Sequence, residues 1–326
     1  MTTRDLATLP KAHLHLHYEG AMRPSTLVEL AEMHGQPTPA VESAVTFADF
    51  MGLYVAASSV LVGPDEFFRL FREIAEDAAA AGAVWVEVHV DSGLHAPRLG
   101  SDDDVFEIFL AGAAAAEAAT GVGIGLVVSA DRCRDPQNAV EQAHRAARHA
   151  GPQVVAFGLA NDEAFAPEPF AEAFAIARAA GLMSVPHAGE LVGPVSVRGA
   201  LDTLAPDRLG HGVRSVEDPA LVRRLADEGI CCDVCPTSNL KLSLYPSIDA
   251  HPIATLIEAG VPVTLNGDDP LMFDSPLAGE YELVRDAFGY GDDVMAAIAR
   301  TSIERSAMPA DRKQTALTAI DTWLTT

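Results

Sequence analysis

The chain has 326 residues, is 49% hydrophobic and carries a formal net charge of −24 at pH 7. That length suits one large domain or two, and no Pro/Gly/Ser-rich linker divides it, so a single domain over residues 1–326 is expected. Phosphate-rich partners need clustered Lys and Arg, so the acidic balance argues against nucleic acid. The apolar stretches break before membrane-spanning length and MTTRDLATLPK lacks a signal-type apolar core, so no membrane partner is expected and the cytoplasm is the default.

Short apolar, β-branched runs alternate with longer helical patterns. KAHLHLHY (11–18) reads as the first strand, followed by VWVEVHVD (84–91), VGIGLVVSA (122–130) and VVAFGLA (154–160). LMSVPHAG (182–189), RLGHGV (208–213), ICCDVCPT (230–237) and VPVTLNG (261–267) complete the set. Between them lie amphipathic segments such as DEFFRLFREIAEDAAAAG (65–82) and DPALVRRLADEG (218–229), and the Ala-rich runs 75–83 and 111–120 read as helix interiors. Such alternation implies parallel strands with crossover helices, and eight strands suggest a closed (β/α)8 TIM barrel. The surplus length, residues 20–83, is expected as extra helices between the first two strands. Within it, FADFMGLYVAASSVL (47–61) spaces Phe47, Phe50, Met51 and Tyr54 as one helix face, either a cover over the barrel mouth or ordinary packing. Cys231, Cys232 and Cys235 fall in a strand-like run without a second CxxC, and are read as reduced core thiols.

Polar residues collect at the C-terminal ends of these runs, the face where such barrels hold their active sites. His13, His15 and His17 share one face of the first strand, about 6.6 Å apart for each two-residue step, so two neighbours can share an ion and the third cannot. The two nearest the mouth are His15 and His17, which leaves His13 as a buried, hydrogen-bonded core histidine; taken alone, the run suits three structural histidines equally well. PHAGE (186–190) adds His187 as a third nitrogen donor, and NGDDP (266–270) offers the carboxylate of Asp268. Three histidines and one carboxylate suit a single catalytic Zn2+.

PKAHLHLHYEG (10–20), GLANDE (158–163), HAGE (187–190), LGHG (209–212) and LNGDDP (265–270) stand in the order and spacing of the adenosine deaminase family, which the chain resembles over about residues 7–305. The resemblance implies zinc ligands at His15, His17, His187 and Asp268, and a water activated for attack on C6 of a 6-aminopurine. It implies catalytic roles for Glu190, which protonates N1, for His211, which orients and helps deprotonate the water, and for Asp268. It places Glu19, Asn161, Gly189 and Asp269 at the substrate, with Asp269 meeting N7. Glu19 stands where adenosine-specific members usually carry Asp, and Glu there is familiar among relatives acting on free adenine. A nucleoside such as adenosine is the leading substrate expectation, with adenine or 6-aminodeoxyfutalosine as alternatives. Arg23, Arg132 and Arg198 read as solvated or helix-capping arginines, with recognition of an anionic substrate group as the other possibility. Oligomeric state is not legible.

Overall fold

Eight short, largely buried runs form eight parallel strands paired in simple sequence order. They are β1 (Lys11–His17), β2 (Ala83–Val90), β3 (Gly123–Asp131), β4 (Val154–Ala160), β5 (Met183–Ala188), β6 (Arg208–His211), β7 (Cys231–Val234) and β8 (Val263–Leu265). This computed structural model describes residues 4–40 and 46–325; residues 1–3 of the N-terminal stretch and 41–45 of the segment between the first two strands lie outside it. Strands such as β2 and β3 are buried on almost every residue, as parallel strands covered by helices must be.

The barrel nearly closes between β1 and the residues after β8. His17 N–H donates to the Asp268 carbonyl (2.9 Å), and Asp268 N–H donates to the His15 carbonyl (3.1 Å). The Asn266 side-chain oxygen accepts from Leu14 N (2.7 Å) and His15 N (3.1 Å). The seam therefore places two histidines and an aspartate side by side through their own backbones. All eight expected strands are present, the seventh and eighth shorter than expected because a helix starts at Pro236 and because Asn266–Asp268 form the closing seam.

Helices flank the strands, several with proline in the first turn, where its missing N–H costs no bond (Pro64, Pro136, Pro194, Pro219). Helices Pro24–Met33, Phe47–Ser58 and Pro64–Ala80 fill the segment between β1 and β2. The Ala-rich run 75–83 is the end of one helix and the start of β2, while 111–120 lies wholly within the Asp102–Thr120 helix. Tyr18, just past β1, ties the Pro64–Ala80 helix to the barrel. Its hydroxyl donates to Phe67 O (2.9 Å), and its ring lies 4.6 Å from that of Phe71 and 5.1 Å from that of Phe109. Cys231, Cys232 and Cys235 are buried and unbridged, and burial pushes the Cys232 thiol up to about 12. No helix among the described residues is long and apolar enough to cross a membrane.

Candidate metal centre and active site

At the C-terminal mouth, His15 and His17 from β1, His187 from β5 and Asp268 from the seam turn their donor atoms to one point, all within 4.8 Å of one another. Nε2 of His17 stands 3.2 Å from Nε2 of His187. Asp268 Oδ1 stands 3.3 Å from His15 Nε2 and 3.4 Å from His17 Nε2. Four ligands at about 2.0–2.2 Å from a zinc ion would lie roughly 3.3–3.6 Å apart, so these separations fit. Both ring nitrogens of His15 and Nδ1 of His187 are buried without hydrogen-bond partners among the described residues, a state that a bound cation would relieve at the ligating atoms. Burial lowers the pKa of His17 to about 4 and that of His187 well below the ordinary range, so both are neutral, as metal ligands must be. Burial alone would raise Asp268, yet the imidazoles around it hold its carboxyl well below the usual range. Ser238 Oγ donates to its other oxygen, Oδ2, at 2.6 Å.

His13 lies deeper, buried, with Nε2 accepting from Gly267 N at 2.9 Å; it is the core histidine that the strand alternation implies. Cys235 belongs to a second possible donor set with His15, His211 and Asp268. Burial pushes its thiol well above the ordinary range, and Sγ donates to Asp233 O. The three-imidazole set supplies the better donors.

Glu190 and His211 stand beside this point, with His211 Nε2 at 3.6 Å from Glu190 Oε2 and 3.9 Å from Asp268 Oδ2. Glu190 is buried, and desolvation together with the negative charges of Asp268 and Glu163 pushes its pKa well above the carboxylate range. Glu163 holds the turn that carries Glu190: its carboxylate accepts from Glu190 N (3.2 Å) and Val192 N (2.6 Å). Asp269 is also raised well above the ordinary range, by burial and then by Asp268 and Glu19, and its Oδ1 is buried without a partner among the described residues.

The cleft above these groups includes Glu19, Asn161 and Asp269 in its lining but not Gly189. Gly189 instead makes a left-handed turn at φ 80° between His187 and Glu190. Asn161, also left-handed at φ 81°, donates from Nδ2 to Asp131 Oδ1 (3.0 Å). Glu19 is only 2% exposed; Oε1 receives His95 Nε2 at 2.5 Å, and Oε2 receives the Tyr54 hydroxyl. Arg98 Nη2 donates to His95 Nδ1 (2.9 Å), so the proton of His95 sits on Nε2 and points at Glu19. Burial would raise the Glu19 pKa, but the hydrogen bonds from His95 and Tyr54 bring it below the ordinary value. The Phe47–Ser58 helix roofs the cleft with Phe47, Phe50, Met51 and Tyr54, and Phe50 stacks on Phe273 at 5.1 Å. Its start is locked by a reciprocal cap between Thr46 and Asp49.

None of the three arginines singled out from sequence enters the cleft. Arg23 pairs with Asp77 (2.7 Å) and Glu76 (3.0 Å), and Arg198 pairs with Asp218. Arg132 is buried, not solvated, and Nη2 donates to His187 O (2.5 Å), bracing the end of β5. The arginine in the lining is Arg134, already paired with Asp131 (3.3 Å) and Asp91 (3.6 Å). Also missed were His89 on the site floor, whose ring is 4.8 Å from His15 and whose Nδ1 meets Ser129 Oγ (2.8 Å), together with His95, Glu163 and Ser238. A polar residue ending the second strand was a usable signal for His89; for the others only the fold supplies the contact.

A parallel barrel with this donor set and a buried, proton-holding carboxyl beside it defines a metal-dependent hydrolase. The chain belongs to the adenosine deaminase family, whose model, described as Adenosine deaminase, matches residues 10–323. Members are hydrolases acting on C–N bonds. A putative adenosine/adenine deaminase of Streptomyces coelicolor is 45% identical, with 98% of each chain covered. An adenine deaminase of Sinorhizobium medicae is 38% identical, covering 96% of this chain and 99% of the relative. The crystal structure of adenine deaminase from Arthrobacter aurescens superposes with a TM-score of 0.92 at 28% identity, covering 98% of this chain and 100% of that one.

Proposed function

We propose that this protein deaminates free adenine hydrolytically, giving hypoxanthine and ammonia, with one zinc ion held by His15, His17, His187 and Asp268. The observation that carries the choice of substrate is Glu19. Both of its oxygens are engaged, by His95 and Tyr54, and the side chain is buried, which leaves little for a sugar hydroxyl at that wall. The relatives named adenine deaminase support the same choice. The order of expectations drawn from sequence is thus reversed: the free base takes precedence over the nucleoside. A carboxylate-bearing nucleoside is disfavoured because the arginine in the cleft is already paired with two aspartates.

Zinc in this site would supply Lewis acidity that makes a water reactive at neutral pH. Glu190, kept protonated by burial and neighbouring negative charge, is placed to give its proton to N1, so that C6 accepts the attacking oxygen. Asp269, kept protonated in the same way, can donate to the lone pair of N7, which an ionised carboxylate could not do. Asp268 accepts a proton from the attacking water, and His211, between Asp268 and Glu190, holds that water in line. The water loses two protons in turn. One leaves with the 6-amino nitrogen as ammonia, and the other restores the proton that Glu190 gave to N1. The aromatic roof keeps bulk water from the reacting ring.

The test is ammonia release by the zinc-loaded protein from adenine, adenosine, 2′-deoxyadenosine and 6-aminodeoxyfutalosine in parallel. Adenine should be turned over and the nucleosides should not, and Glu190→Gln should lower kcat on adenine by at least about 100-fold. Turnover of adenosine with no turnover of adenine would overturn the assignment.

A further inference from the structure

Behind His211 lies a buried chain of hydrogen bonds that begins at a group with no choice of polarity. The backbone N–H of Ile253 can only donate, and it donates to Nδ1 of His251 (3.2 Å). With Nδ1 accepting, neutral His251 carries its proton on Nε2, which faces Asn239 Oδ1 at 3.1 Å. The oxygen of that amide is thereby identified, and its Nδ2 faces Nδ1 of His211 at 3.3 Å. An amide nitrogen can only donate, so Nδ1 of His211 accepts, and the proton of neutral His211 is left on Nε2. All three side chains are buried, with Asn239 at 0% exposure, so water does not offer an alternative partner.

We infer that His251 and Asn239 are positioning residues that fix the tautomer of His211, presenting an N–H rather than a lone pair to the reacting centre. The Nε2–H points into the gap between Glu190 Oε2 (3.6 Å) and Asp268 Oδ2 (3.9 Å). His211 therefore acts on the attacking water as a hydrogen-bond donor that orients its oxygen, and the water's proton goes to Asp268. This changes one role implied by the family resemblance, in which His211 also helps to remove that proton. The backbone adds to the constraint, since His211 is held at φ 64° and its ring is confined by His15 at 4.9 Å and His187 at 5.4 Å. What the proton does rests on the proposed deamination; the relay itself does not. His251 also satisfies the first N–H of the Ile253–Glu258 helix through the same Ile253 contact, so the test must separate the two roles.

The zinc-loaded protein, labelled with ¹⁵N in its imidazole rings, is examined by two-bond ¹H–¹⁵N correlation, which distinguishes the two neutral tautomers. The His211 signals, among eleven histidines, are assigned by their loss in His211→Asn. The wild-type spectrum should show the Nε2–H form for His211. In His251→Asn the shorter amide still caps Ile253 but does not reach Asn239; His211 should become a mixture of tautomers, with kcat on adenine falling on the order of tenfold and KM unchanged. His251→Gln, whose amide reaches where Nε2 was, should restore the single tautomer and most of kcat. Asn239→Asp can only accept, and should move His211 to the Nδ1–H form. An Nδ1–H form in the wild type, or an unchanged spectrum in His251→Asn, would overturn the inference. Tautomer changes as described, in a protein that releases no ammonia from any of the four substrates, would uphold the relay and refute the substrate assignment.

Discussion

Gly210 shows what a single residue does for the candidate metal centre. A Cβ at this position would lie 2.7 Å from Cε1 of His15 and 3.1 Å from Cγ of His187, so both imidazole rings pack directly on its bare backbone. Gly20 does the same for Asp269, because a Cβ there would fall 1.8 Å from Asp269 Oδ1. Gly210→Ala should push the two imidazoles off their shared point while the surrounding strands stay paired. Zinc affinity measured by competition with a chelating dye should fall at least tenfold, with far-ultraviolet circular dichroism unchanged; an affinity equal to wild type would show that the rings have room to give. At this scale the sequence was legible where spacing along one strand sets the geometry. Alternation in β1 sends His13, His15 and His17 to one side, and their depths separate the two whose donor atoms meet at the mouth from one buried below them. It was not legible where the partner is remote, as for Asn239 and His211, which are 28 residues apart.

Between elements, the link from the Leu277–Phe288 helix to the short Pro236–Lys241 helix is a buried carboxyl. Glu280 Oε2 accepts from Thr237 N at 3.1 Å, while Oε1 is buried without a partner. Burial, with a further contribution from the Asp268 charge, raises Glu280 from 4.5 to about 7. The folded state therefore binds this proton more tightly than the unfolded chain does. The stability this contributes is present below pH 4.5 and is lost as the pH rises toward 7, an effect of about 3 kcal/mol for the full interval. Glu280→Gln keeps an acceptor for Thr237 and has no charge to bury. In urea unfolding, the stability of the variant relative to wild type should rise between pH 5 and pH 8; a difference that stays flat would mean that Glu280 ionises at its ordinary pKa. The cover helix is an element whose existence was readable, from the i, i+3, i+4, i+7 spacing of Phe47, Phe50, Met51 and Tyr54. Its choice between cover and ordinary packing was not, since the same apolar stripe serves both.

Across the whole molecule, one buried polar network runs from the lower part of the barrel up to the candidate metal centre. Arg208, fully buried on β6, meets Glu87 of β2 (2.6 Å), Asp233 of β7 (2.8 Å) and the carbonyl of Arg305 (2.8 Å). Asp233 then accepts from Thr264 Oγ1 (2.8 Å), Thr264 accepts from Asn266 Nδ2 (2.9 Å), and Asn266 holds the backbone of His15 at the seam. Glu87 also accepts from Ala307 N (2.6 Å), which ties the C-terminal segment to the barrel interior. Arg208→Met would leave two buried carboxylates without their counter-charge and should destabilise the fold by about 3–5 kcal/mol. Denaturant unfolding measures this, and a loss below about 1 kcal/mol would show that the interior accommodates both acids alone.

Local pattern by itself determined the order of strands and helices, the inserted helices between β1 and β2, and the face on which β1 presents its histidines. Each of these follows from periods of two or 3.6 residues along the chain, which are properties of the backbone and need no partner. The five ordered motifs also carried the family resemblance and the four residues whose donor atoms converge at the mouth. Only the tertiary structure decided which remote groups meet. The capture of Glu19 by His95 and Tyr54, the bracing of Glu190 by Glu163, and the chain from Ile253 through His251 and Asn239 to His211 each join side chains from different elements. Closing the barrel removes water from these groups, so each buried donor must find a particular acceptor, and that pairing exists only once the strands are in register.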